Sequence, residues 1–417
     1  MCFESEMNEE TGASHLEMNP TTARRHEGTK ARRHDRTTAP QHELGIYLHI
    51  PFCVRKCYYC DFNSGPLSQT ARRDYLEALR QEIIHSPWRG FEAKTVFFGG
   101  GTPSELSIAE LATLVKDLRQ TFRVKENAEW SIECNPGTAT RTFFAELGPM
   151  GFNRVSLGVQ SFHDHHLKAL GRVHDSAEAK SAYRWLREAG YDNLNLDLMF
   201  GLPQQTLQEW EADVSEALSL SPEHLSLYNL TIEPGTEFGN RHARGELREV
   251  DEDLSADMYE LAMDRTQAAG YSQYEISSYS RPGRQCAHNL IYWRNEPYLG
   301  FGVSAASFID GLRWTNTGNL REYARTAASG RVSRASEEAL EDREALGEEI
   351  MLRLRTSDGI SLSSLSTRYN FDVASLFSQT LELLSTHAFI TQAGDRVQLT
   401  RQGRLMADEV CMRFLAN

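Results

Sequence analysis

Long apolar runs are missing from this chain. Nothing in its 417 residues approaches the ~18 consecutive apolar residues of a membrane span, and no signal-like apolar core follows the first residue. Neither a membrane-spanning nor a secreted protein is expected. Positive charge is also short. Against 58 Asp and Glu stand only 44 Lys and Arg, a formal charge of −14, which disfavours a general nucleic-acid surface. Cysteine is scarce and odd in number, seven in all, yet Cys53, Cys57 and Cys60 fall within eight residues. That clustering excludes a disulfide framework and points to metal or redox chemistry. The remaining composition, 40% hydrophobic and 24% charged, is that of a globular protein. Its length allows two or three domains, or one α/β barrel of ~250 residues with an addition.

Residues 1–42 carry no hydrophobic period, hold four histidines and repeat ARRHEGTK as ARRHDRTT. Such a segment cannot bury enough apolar area to offset its ordering entropy, so a disordered tail is expected. Its six basic and seven acidic residues leave −13 on the remainder, so the acidity belongs to the folded body.

From residue 43 the pattern changes. Strand-like runs IYLHI (46–50), TVFFG (95–99), WSIEC (130–134), RVSLGV (154–159), LNLDLMF (194–200) and LSLYNL (225–230) alternate with amphipathic stretches at 105–122, 176–190 and 254–270. The last two end in glycine, a common helix stop. This is the spacing of βα units on a parallel sheet, either a partial (βα) barrel or a doubly wound sheet. Beyond about residue 330 come a helical run ending at Gly359, further helical stretches, two alternating runs at 389–400 around Gly394-Asp395, and a last helix at 402–415. Helices with a hairpin resemble a winged-helix module. Eight basic against eleven acidic groups over 340–417 make it a cap or docking domain in preference to a DNA reader.

A barrel would gather functional groups at the C-terminal ends of its strands. The cysteines follow the first strand, GGGTPS (99–104) the second, and Glu133 ends the third ahead of CNP. Gln160 follows the fourth, and Asp197 lies in the fifth just before MFGLP. Five successive polar groups in such a ring indicate a cofactor cavity. The triplet itself, C-x3-C-x2-C, can give one thiolate to each of three irons of a cubane and leave the fourth open to an external chelate. The competing reading is zinc, with His49, Cys134 or Cys286 completing the site.

These residues, in this order, resemble the radical S-adenosylmethionine superfamily. YLHIPFCVRKCYYCDF (47–62) is similar to the subgroup that contains oxygen-independent coproporphyrinogen III dehydrogenase (HemN) and the HemW family, and the likeness runs through nearly all of residues 43–417. The resemblance implies an α/β fold: a partial (βα)6 radical-SAM barrel over 43–330 and a winged-helix-like HemW C-terminal domain over 331–417. It implies a [4Fe–4S] cluster on Cys53, Cys57 and Cys60, with S-adenosylmethionine on the open iron. Tyr47 and Tyr59 match positions that contact this cofactor, and Gly100, Gly101 and Thr102 match the loop that approaches its methionyl end. Glu133 matches the acid that binds ribose hydroxyls, while Gln160, Arg172 and Asp197 match three further contacts, Arg172 facing the carboxylate.

Within the subgroup two functions compete. The dehydrogenase resemblance predicts a further cysteine two residues after the triplet, where this chain has Phe62. HemW proteins share Cys60-Asp61-Phe62 and the HNxxYW motif, here His288, Asn289, Tyr292 and Trp293. That motif implies haem binding, since a neutral imidazole ligates haem iron and aromatic rings pack on porphyrin. Ala306 departs from a commoner family form that has histidine there. The resemblance therefore implies a cytoplasmic haem chaperone that passes haem to an acceptor hemoprotein, with turnover of S-adenosylmethionine not central. Homodimerisation and peripheral contact with the inner membrane stay open. The alternatives are a porphyrinogen dehydrogenase and a zinc-stabilised binding module.

Overall fold

In the computed structural model, which describes residues 43–415, all six anticipated strands form. The expected disordered tail, residues 1–42, lies outside the described residues. Strands β1 (Glu43–Ile50), β2 (Glu92–Gly100), β3 (Arg123–Cys134), β4 (Arg154–Gln160), β5 (Leu194–Phe200) and β6 (His224–Asn229) pair in that order, every pair parallel. Helices α1 (Gln69–Ile84), α2 (Ile108–Thr121), α3 (Arg141–Met150), α4 (Asp164–Ala169), α5 (Ser176–Glu188) and α6 (Leu207–Leu220) fill the crossovers. The result is a partial (βα)6 barrel.

Pleating explains why these sequences serve. Leu44, Ile46 and Leu48, or Leu194, Leu196 and Leu198, sit at 0–1% exposure beneath the helices. The alternate residues face inward and are polar. His224, Asn195, Asp197, Ser156 and Ser226 form one connected hydrogen-bond network across β4, β5 and β6. Helix starts are set by capping boxes at Ser107/Glu110 after β2, Asp175/Glu178 after α4 and Thr206/Glu209 after β5. The amphipathic stretch expected from residue 105 therefore begins as a helix only at Ile108, after a single 3-10 turn at Pro103–Glu105.

After α7 (Glu237–Ala243) and α8 (Glu252–Ala268) the chain adds pieces that no hydrophobic period announced. Strands β7 (Ser272–Gln273) and β8 (Ser278–Ser280) extend the sheet beyond β6. Helix α9 (Ala287–Trp293) leads to β9 (Tyr298–Phe301), β10 (Ala306–Ile309), β11 (Leu312–Asn316) and β12 (Arg334–Ala339), which extend it from β1. The twelve-stranded sheet thus runs past residue 330.

A second hydrophobic core, built on Leu346, Ile350, Val373, Leu384, Val397 and Val410 among others, belongs to the C-terminal segment. Helix α10 (Leu320–Ala327) still packs into the first core through Tyr323 and Ala327; in the C-terminal segment α11 (Asp342–Leu354) precedes β13 (Ile360–Ser361), β14 (Ile390–Ala393) and β15 (Arg396–Leu399) in a small antiparallel sheet. This is the winged-helix-like α+β arrangement. The last helix is broken into Arg401–Leu405 and Ala407–Met412, and the one before the hairpin is interrupted at Phe377.

Candidate cofactor site at the strand ends

The triplet lies on the loop between β1 and α1, and that loop is tied down at several points. Cys53 N–H donates to Gly65 O (3.1 Å), Gly65 N–H to Pro51 O (3.0 Å), and Tyr58 N–H to Leu170 O (3.0 Å). Arg55 donates to the carbonyls of Gly171 (3.0 Å) and Arg172 (2.5 Å), which fastens the loop to the turn after α4. All three cysteines are half-buried. Their thiols do not gather around one point. Among the described residues, the one group of three His, Cys, Asp or Glu donors that converges to within 4.8 Å lies elsewhere. Such a spread suits a multi-iron cluster, in which each iron takes its own sulfur, and not a lone zinc ion. The candidate fourth zinc ligands are also engaged. His49 bonds through both ring nitrogens, to Tyr47 Oη (3.1 Å) and Asn63 O (3.0 Å). Cys286, at the start of α9 by the far end of the strands, donates its thiol to Glu129 Oε1 (3.6 Å), and Cys134 is a buried thiol whose pKa burial raises.

Groups that would meet a bound cofactor surround the triplet. Thr102 Oγ1 and Arg172 Nη1 each stand 3.5 Å from a thiol, those of Cys53 and Cys57. Arg172 Nη2 donates to Gly158 O (2.6 Å), and its guanidinium also bonds the Tyr59 hydroxyl. Its Nε is buried with no partner, a donor that an anionic ligand would satisfy. Gly101 forms a cradle. A Cβ there would lie 2.7 Å from Phe52 O and 3.0 Å from Cys53 Sγ. Gly100 has φ +108°, and a Cβ would lie 2.6 Å from His49 Nδ1, so only glycine fits both positions. Burial pushes the Cys60 thiol up to about 11, so iron must displace its proton on binding. On these observations the residues present fit a [4Fe–4S] cluster with a carboxylate-bearing ligand beside it.

Two carboxylates face the interior from β3 and β5. Glu133 accepts from Gly100 N–H (3.1 Å); burial first, and the nearby Asp197 carboxylate second, raise its pKa to about 7. Asp197 accepts from Ser156 Oγ (2.8 Å) and Asn195 Nδ2 (2.7 Å), and burial raises its pKa also. Tyr47 leans into the same space, where a Cβ on Gly99 would come within 3.0 Å of its ring and 3.2 Å of Glu133 Oε2. Gln160, at the end of β4, holds φ +70°, a conformation that costs energy for a residue with a side chain.

The structure thus brings Cys53, Cys57, Cys60, Tyr47, Tyr59, Gly100, Gly101, Thr102, Glu133, Gln160, Arg172 and Asp197 to one end of the barrel. Residues that sequence reasoning missed are Gly99 and His174. The His174 ring spans Asn135 Oδ1 (3.1 Å) and Val159 O (3.1 Å), and burial lowers its pKa to about 3. Its position two residues after Arg172 was the available signal.

The HNxxYW segment meets that gathering at Tyr47, whose ring stacks on His288 at 6.4 Å, and otherwise lies apart from it. Helix α9 lies across the opposite mouth, where the strands begin. Glu129, level with Thr95 in the strand register, accepts from the N–H groups of Ala287 (3.1 Å) and His288 (3.0 Å). His288 is 1% exposed; Nδ1 meets Thr95 Oγ1 (2.7 Å) and Nε2 meets Tyr292 Oη (2.9 Å). Its ring stacks on Phe97 at 5.0 Å, and burial lowers its pKa to about 3. Trp293 is buried, whereas Asn289 and Tyr292 are half-buried.

Comparison with known proteins decides the family. Residues 47–217 match the radical SAM superfamily, and residues 340–406 match the HemN C-terminal domain. The heme chaperone HemW of Bacillus subtilis is 37% identical over 372 residues, covering 88% of this chain and 98% of its own length. That of Escherichia coli is 38% identical over 383 residues, covering 89% and 98%. The chain belongs to the HemW family. Among solved structures, coproporphyrinogen III oxidase (HemN) from Escherichia coli, a radical SAM enzyme, superimposes with a TM-score of 0.79 at 27% identity, over 90% of this chain and 91% of that one. The HemW fold is therefore shared with an enzyme. Among the described residues, no helix is long and apolar enough to cross a membrane.

Proposed function

We propose that this protein is a haem chaperone that binds a [4Fe–4S] cluster, S-adenosylmethionine and one haem, and passes the haem to an acceptor hemoprotein in the cytoplasm. The observation that carries the reading is the cradle at the strand ends, three thiols beside an unsatisfied Arg172 Nε, in a chain that spans nearly the whole length of relatives named heme chaperones.

In this reading Cys53, Cys57 and Cys60 hold the cluster, and Arg172 and the Gly100–Thr102 loop receive the methionyl end of the nucleoside ligand. Glu133 takes its ribose, while Tyr47, Tyr59, Gln160 and Asp197 shape the cavity around it. When bound, the cluster would supply one electron and an open iron for chelation. The chain's own residues orient the ligand against the half-buried Glu133 and Asp197. The haem role falls to His288, Asn289, Tyr292 and Trp293. With Nδ1 held by Thr95, a neutral His288 has Nε2 left for iron once half-exposed Tyr292 releases it. Nothing in the structure explains Ala306.

The test is haem titration of anaerobically purified protein beside a coproporphyrinogen assay. Stoichiometric haem binding without protoporphyrinogen formation is expected; robust turnover would make the protein a dehydrogenase instead. His288→Ala should weaken haem binding and alter its spectrum, and an unchanged titration removes His288 as ligand. Cys57→Ala should abolish iron loading, and wild-type iron content in that variant would end the cluster assignment.

A further inference from the structure

Just beyond β4 the chain reads Ser161-Phe162-His163-Asp164-His165-His166, a histidine cluster that the cofactor site does not use. Two of its rings turn toward Glu209 in the first turn of α6. His165 Nε2 stands 3.1 Å from Glu209 Oε1, and His166 Nε2 stands 3.5 Å from Oε2. The two imidazole centroids are 4.0 Å apart, and one donor atom from each of the three residues lies within 4.8 Å of the others. His166 is only 3% exposed, yet its Nε2 is buried without a hydrogen-bond partner. Its contact with Glu209 Oε2 at 3.5 Å is too long and poorly aimed for a good hydrogen bond, so this buried nitrogen is left under-satisfied in a way that a metal ion would relieve.

We propose that His165, His166 and Glu209 form a binding site for one zinc ion. Two imidazoles and one carboxylate are a recognised donor set for zinc, which leaves a fourth position for water. Tetrahedral bonds of ~2.0–2.1 Å set donors about 3.3 Å apart, so the present separations need only small side-chain rotations. The carboxylate is already fixed. Oε2 accepts from Thr206 N–H and Oγ1, both at 2.9 Å, and leaves Oε1 for the metal without loss of the helix cap. The loop is fixed from below by Asp213, which accepts from Ser161 Oγ (2.7 Å) and Phe162 N–H (2.6 Å). His163 points elsewhere, to Glu209 O at 3.2 Å, and Asp164 accepts from Ser176 N–H at 2.9 Å, so neither competes as a ligand. The site also has a place in the architecture. Helix α4 links Gln160 to Arg172, and zinc would brace that link against the first turn of α6.

This inference does not depend on the haem-chaperone reading. The full chain, with its cluster assembled anaerobically, is titrated with zinc chloride against a chromophoric zinc chelator, and bound zinc is examined by X-ray absorption. One equivalent is expected at micromolar or tighter affinity, with only nitrogen and oxygen neighbours. His165→Ala, at an exposed position, should weaken that binding at least tenfold while iron content and circular dichroism stay as in wild type. Glu209→Gln, which keeps an oxygen for the cap, should weaken it similarly. Unchanged zinc affinity in both variants, a sulfur shell around the zinc, or no binding below millimolar concentration would each overturn the site.

Discussion

Glu133 shows what a cofactor cavity demands of a single residue. Its pKa lies near 7 instead of 4.5 because burial withholds water from the carboxylate, with Asp197 adding repulsion. Below about pH 4.5 the group is protonated whether the chain is folded or not, and the stability it contributes is fully present. As pH rises through about 7 the folded carboxyl must ionise inside the protein, and that contribution is lost. The difference is on the order of 3 kcal/mol. Urea denaturation of the cofactor-free protein between about pH 5 and 8 should show wild type losing stability relative to Glu133→Gln. Glu82, also raised to about 7 by burial, titrates alike in both proteins and cancels. Parallel profiles would mean that Glu133 ionises freely.

Individual elements show where sequence patterns carry structural information and where they stop. All six barrel strands were legible because a parallel strand covered by helices reads as a short apolar run broken by inward polar residues, as in LNLDLMF. The ring of site residues was legible for the same reason: each follows a strand. Strands β7–β12 were not, since pieces of two to six residues carry no period. Nor did HNxxYW reveal that its helix closes the barrel's far mouth, because contacts from Thr95 and Glu129 lie over 150 residues away in sequence. The unpaired His166 is visible only once α4 and α6 are side by side. Helix α9 has seven residues, too few to hold itself, and Glu129 supplies the acceptor for its first N–H groups. Glu129→Gln should lower stability by about 1 kcal/mol in urea melts, and no change would mean that packing alone seats the helix.

At the scale of the whole molecule, two hydrophobic cores meet along a largely polar seam. Across it run Arg313–Glu348 (2.5 Å), Arg401–Glu260 (3.1 Å), Arg404 to Gln273 (2.6 Å) and Ser357 N–H to Tyr274 O (2.9 Å), with apolar contact through Ile276 and Leu405. The exposed Arg401–Glu260 pair is worth roughly 0–1 kcal/mol; the part-buried, bidentate Arg313–Glu348 pair is the stronger link, and a seam with so few such links couples the cores weakly. Stability of the C-terminal core rests instead on Glu349. This carboxylate, 1% exposed on α11, accepts from Arg353 (2.6 Å), Arg368 (2.7 Å) and Tyr369 (2.8 Å). Removing the buried carboxylate takes the shared acceptor from three donors that water can partly reach, and should cost about 1–3 kcal/mol. All six tryptophans, Trp88 to Trp314, precede the second core, so fluorescence reports the barrel and circular dichroism reports both. Glu349→Ala should therefore split denaturation in two, with an early loss of helix signal and an unmoved tryptophan transition. If both signals shift together by the full amount, the seam transmits the damage and the two cores unfold as one body.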